Sequence, residues 1–207
     1  MPNIRVADDL DEVIALETAS GWVVESYHHD LSAGCAWPPN WGRGCGMRFL
    51  NVPVPKDAII IDAYLTFRCF GSSDQDSVRS WIQGELNATP AQFSDQADYF
   101  GRDRTTAKKD WSDIPHWEAP NEYKSPSFPS VIQEIVNLDD WGSGNNLVLF
   151  WHDHDDRSDH DYNTRRMAVS HFHDPGKAPV LSIFFLVDPS SESYTTGGDS
   201  LQDIGGG

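Results

Sequence analysis

Ala58 to Phe70 reads AIIIDAYLTFRCF. Ile61, Ala63, Leu65, Phe67 and Cys69 alternate with Asp62, Tyr64, Thr66 and Arg68. Successive side chains of a strand point to opposite faces, so period two over this length predicts a strand with one buried face. Ile61, Leu65 and Phe67 are expected in the core.

Shorter runs of the same kind lie on both sides. Trp22 to Tyr27, Gly44 to Val52, Val78 to Leu86, Leu147 to Trp151, Arg166 to Phe172 and Val180 to Leu186 also read as strands, separated by proline, glycine and aspartate clusters. One segment breaks the pattern. After Ser127, Val131, Ile132, Ile135 and Val136 recur at helical spacing, with Ser127 or Ser130 as candidate cap and Gly142 and Gly144 beyond the end. This predicts a short helix over Pro129 to Leu138, packed on the strands. Many strands and one helix predict an all-β fold: an antiparallel β-sandwich, jelly-roll-like, over residues 1–187. Residues 188–207, DPSSESYTTGGDSLQDIGGG, are too polar and glycine-rich to bury themselves and are expected to form an arm held by neighbouring subunits.

The chain has 207 residues, with 15 basic against 32 acidic side chains and a net charge of −17. That sign repels phosphate backbones, so nucleic acid is not an expected partner. It suits solubility and divalent cations. No window approaches the roughly 18 apolar residues of a membrane span, and no membrane partner is expected. MPNIRVADDL carries no apolar core of a leader, so no signal peptide is expected. Three cysteines make no disulfide scaffold. Cys69 reads as a buried thiol, while Cys35 and Cys45 are either a pair or two reduced thiols.

The longer run GMRFLNVPVPKDAIIIDAYLTF, Gly46 to Phe67, resembles a family of β-sandwich modules attached to secreted bacterial proteins and present in bacteriophage structural proteins. That family carries G-x-R-F-x-N-V-x-I-P-x-G-A-x-I-x-x-A-Y-L-x-F. Gly46, Arg48, Phe49, Asn51, Val52, Pro55, Ala58, Ile60, Ala63, Tyr64, Leu65 and Phe67 match it. Val54 replaces the isoleucine and Asp57 the turn glycine. Gly101 to Trp111, Ser125 to Phe150 and Arg166 to Ile183 are similar to later blocks of the family in the same order; residues 1–40 and the tail lie outside. The matching residues are mostly architectural. The resemblance implies the sandwich and a non-catalytic module, extracellular or virion-borne. It implies little about ligand.

Two sets of residues are candidates for chemistry. From Trp151 to Asp161 the chain packs five aspartates and three histidines into eleven residues. Asp153, Asp155, Asp156, Asp159 and Asp161 supply the hard oxygen ligands that calcium takes, although EF-hand spacing is absent. His152, His154 and Asp156 alternate and would share a face on a strand, which suits a transition metal. The third reading is a solvated or subunit-contacting loop, and on it Asp153 to Asp161 are expected at the surface. Separately, Trp37, Trp41, Trp111 and Trp117 lie in proline- and glycine-rich segments. They either stack on sugars or cap the ends of the sandwich.

Glu85, Glu118, Glu122 and Glu134 show no acid–base context, and serine-nucleophile and phosphate-loop signatures are absent. A non-enzymatic protein is therefore expected, with no cofactor unless calcium. The first functional expectation is a structural protein of a bacteriophage virion, decorating the capsid or associated with the tail. Its partners would be coat or tail subunits and copies of itself in a homo-oligomer. The alternative is a secreted, extracellular carbohydrate-binding or adhesive module that takes a polysaccharide. A metal-dependent hydrolase built on His152 is the third class.

Overall fold

The computed structural model describes residues 1–36, 41–71, 77–159 and 164–187. Strand makes up 48% and helix 12% of the chain, and every strand pairing is antiparallel. The strands are β1 (Asn3–Arg5), β2 (Glu12–Thr18), β3 (Gly21–Glu25), β4 (Asp30–Ala36), β5 (Trp41–Phe49), β6 (Ile59–Gly71), β7 (Val78–Glu85), β8 (Arg104–Ile114), β9 (Glu122–Lys124), β10 (Leu147–His152), β11 (Arg165–Val169) and β12 (Val180–Leu186). The expected antiparallel, sandwich-like β fold is the one observed.

The sheet curls on itself. Its order is β1-β12-β6-β11-β4-β5-β10-β7-β8, with the β2–β3 hairpin added at β5 and β9 at β6. The thirteen-residue β6 belongs to both layers: Ile59 to Thr66 pairs with β12, and Cys69 and Gly71 face β11. The stretch with the clearest alternation thus becomes the hinge line of the sandwich. Ala63, Leu65, Phe67 and Cys69 point into the main core, against Met47, Phe49, Leu149 and Trp151 of the other layer.

Ile61 does not follow them. Phe184 pairs with Asp62 but Phe185 pairs with Ile60, so Ile61 is an extra residue with no partner. A bulge of this kind shifts every residue before it to the opposite face. Ile60 is buried instead, and Ile61 is 55% exposed. The expectation that Ile61 lies in the core is corrected.

The helix α2 (Pro129–Val136) presents Val131, Ile132, Ile135 and Val136 to the core, as the spacing predicts. Its cap differs. Pro129 opens the first turn, and Phe128 rather than a serine holds the cap position without a side-chain bond. Ser127 instead donates to Asp62 of β6. Gln133 donates to Ala58 O and accepts from Ile60 N, both at 2.9 Å, and pins α2 to the start of β6. A second helix, α1 (Gln96–Gly101), was not expected. Asp95 caps it, and Tyr99 is its one buried side chain. With Phe93 it covers Val13, Ala15, Val148 and Phe150 in a smaller second core on the outer face of β2, β5 and β10. Cys35, Cys45 and Cys69 are all buried thiols outside any disulfide.

Leu65 is fully enclosed. Leu65→Ala is expected to lower the unfolding free energy by about 2–5 kcal/mol, the usual cost of a transfer term plus a cavity. Urea unfolding followed by tryptophan fluorescence measures it.

Candidate functional site

The acidic loop leaves the end of β10, where Asp153 N donates to Arg43 O at 3.0 Å and extends the ladder by one residue. Asp153 then turns inward and is only 1% exposed. Its carboxylate accepts from Arg157 N and Ser158 N, both at 2.9 Å. Burial raises its pKa while those bonds lower it. The expectation that Asp153 lies at the surface is corrected: two backbone donors offset much of the desolvation cost of the buried carboxylate. Asp156 sits at the tip of this turn with φ +54, a conformation aspartate tolerates better than most residues.

The other acidic groups diverge. Asp155 accepts from Trp81 Nε1 at 2.9 Å. Asp159 accepts from Arg79 Nη1 at 2.9 Å. Arg157 lies 4.0 Å over the Trp81 ring and donates to Asp110 at 2.9 Å. Ser158 exchanges hydrogen bonds with the backbone of Arg79 at 3.0 and 3.2 Å. These contacts tie the loop to β7 and β8. They turn the oxygens expected to converge on calcium toward three separate partners. Among the described residues no three histidine, cysteine or carboxylate side chains surround a common point. Asp161 lies outside the described residues.

His152 and His154 do share a side, as their alternation predicts. Their rings stack at 4.3 Å. The surroundings are aromatic rather than metal-like: Trp22, Tyr99 and Phe100 ring His154, and the Tyr99 hydroxyl is 3.4 Å from its Nε2. Gly44 is required below them, because a Cβ there would run into both histidines. Burial, with Arg104, Lys108 and Arg157 nearby, pushes His152 down to about 3. Burial, then His152 and Arg104, pushes His154 down to about 2. Both rings are neutral fillers.

The tryptophans separate in the same way. Trp111 is 7% exposed and Trp117 0%. They stack with Phe67 and Trp151 in one aromatic cluster, and Tyr123 lies flat on Trp117 at 4.8 Å. Neither offers a ring face to a sugar, so that reading of Trp111 and Trp117 is corrected; their area is spent in the core. Trp41 opens β5 and is half-buried. Trp37 lies outside the described residues.

Two features escaped the sequence. The first is the burial of two carboxylates. Glu12 is 2% exposed, and burial pushes its carboxyl up to about 7 although Phe172 N donates to it at 3.2 Å. Asp30 is a second buried carboxylate, 8% exposed; burial would raise its pKa, and His28, Arg165 and Arg43 outweigh that and hold it low. Nothing in the period-two pattern separates such residues from exposed ones, because both are polar. The second is an apolar face. Met1, Ile59, Ile61, Phe184, Leu186 and Val187 are exposed together on the outside of β6 and β12. Met1, Ile61, Phe184, Phe185 and Leu186 line a groove of about 300 Å³ there.

The chain matches no protein-family model and no curated protein.

Proposed function

We propose that this chain is a non-enzymatic structural protein of a bacteriophage virion, a capsid-decorating or tail-associated subunit that assembles with copies of itself and with coat or tail subunits. The observation that carries the reading is the apolar face of β6 and β12. Contiguous exposed apolar surface is costly in water and marks sites of association. This face also includes Met1 and runs to Val187, where residues 188–207, expected to form an arm held by neighbours, begin. The resemblance of Gly46 to Phe67 to modules of secreted and phage structural proteins supports the same class. The acidic loop, which would have to supply the chemistry of a hydrolase, uses its charges to fasten strands. The carbohydrate-binding alternative rests on Trp37 and Trp41 alone once Trp111 and Trp117 are in the core.

Sedimentation of the purified chain tests this. Self-association is expected, and Ile61→Asp with Leu186→Asp is expected to weaken it at least roughly tenfold, about 1.4 kcal/mol or more. Both side chains are exposed, so the melting temperature should hardly move. A native chain that stays monomeric at every concentration, together with its absence from purified particles, overturns the reading.

A further inference from the structure

The four histidines of the turns at one end of β4 and β11 belong neither to the apolar face nor to the acidic loop. Val169 pairs with Asp30 at the ends of these two strands, so the turn before β4 and the turn after β11 stand side by side. Their backbones are joined: Ser170 N donates to His29 O at 3.4 Å, and Asp174 N donates to Ser170 O at 3.1 Å. His173 N donates to Ser170 Oγ at 3.1 Å. The result places His29 Nδ1 and His173 Nδ1 3.4 Å apart. The rings are nearly perpendicular, at 82°. Phe172 packs on His29 at 5.2 Å and Phe70 meets His173 edge-on at 5.0 Å, which limits how far either ring can swing. Both imidazoles are exposed.

We propose that His29 and His173 form a two-imidazole chelate for a divalent transition-metal ion of the zinc and copper class. Two nitrogens bound to one tetrahedral zinc at about 2.0–2.1 Å stand about 3.3–3.4 Å from each other, the separation seen here. Imidazole nitrogen selects this class over calcium and magnesium, which take oxygen. The other two histidines of the turns are committed elsewhere: His28 to Asp30 at 3.4 Å and His171 to Asp9 at 2.5 Å. Asp174, the nearest following carboxylate, pairs with Lys177 at 2.6 Å. The chelate therefore has two protein ligands, with water in the remaining positions, and the net charge of −17 favours the cation over its absence. The inference is independent of the assembly reading.

Calorimetric titration of the whole chain with zinc chloride, and separately with copper chloride, tests it. One saturable ion per chain is expected, with copper tighter than zinc. His29→Gln and His173→Gln are each expected to weaken binding at least roughly tenfold, whereas His116→Gln, an exposed histidine elsewhere, should leave it unchanged. Melting curves of the three variants check that the fold is retained. X-ray absorption on the zinc-loaded native chain gives a second reading, with two imidazole scatterers expected. No saturable zinc or copper binding, binding that survives both substitutions, or an absorption spectrum without imidazole overturns the proposal.

Discussion

Trp117→Ala is expected to cost about 3–5 kcal/mol of folding stability, the range for emptying a buried indole site. Trp117 is fully enclosed among Phe67, Trp111, Trp151 and Tyr123, with ring centroids 4.8–6.0 Å away. Aromatic pairs at these separations add to the area they bury. Removing the ring takes one aromatic neighbour from each of the four others and leaves a cavity between them. Chemical denaturation measures the loss. A change below about 1 kcal/mol would show that Trp117 is displaced to the surface in solution, and would restore it as a candidate sugar platform.

The contrast between Trp117 and Ile61 shows what could be read in advance. Period two located β6, β7, β10 and β12, and helical spacing located α2, because each signal recurs over several residues and one mismatch does not erase it. The inversion at Ile61 depends on one unpaired residue opposite the Phe184–Phe185 step, and no local residue type announces it. Trp117 is a different case: its residue type leaves two readings open, a sugar platform or a cap on the sandwich, and its burial decides against the first. Proline and glycine around it do indicate a loop, but a loop can fold back and plug the open end of a sandwich. The acidic loop was half legible: its position after β10 was right, whereas the inward Asp153 depends on donors from Arg157 and Ser158 that only the turn supplies. The pairing of His29 with His173 spans 144 residues and is set entirely by the register of β4 and β11.

Acid should weaken the fold through the two stacked histidines. His152 and His154 titrate near 6.5 when unfolded but near 3 and 2 in the folded chain. The unfolded chain therefore takes up more protons below 6.5. The stabilisation is fully present above that pH and is lost as pH falls toward the folded values. Each histidine contributes up to about 1.4 kcal/mol per pH unit, so two of them over the window 6.5 to 4.5 contribute up to about 5 kcal/mol. Two groups act the other way. Glu12, raised from 4.5 to about 7 by burial, binds its proton earlier in the fold and adds stability as pH falls between those values. His28, raised chiefly by Asp30, adds stability below its folded pKa. A comparison of variants isolates the histidine part. The stability advantage of the native chain over His152→Gln/His154→Gln should shrink steeply between pH 6.5 and 4.5. Denaturation at a series of pH values reads it, and parallel curves for the two proteins would contradict the burial of these rings.

The pairing of β1 with β12 has a mechanical consequence. Asn3 faces Ser182 and Arg5 faces Val180, so residues 1 and 187 emerge from the same end of one short antiparallel ladder. Tension applied between them would load the rungs one after another, as a zipper opens, instead of shearing them together. The three residues of β1 would peel away at low force while β6, held on both edges, kept the rest of the sandwich closed.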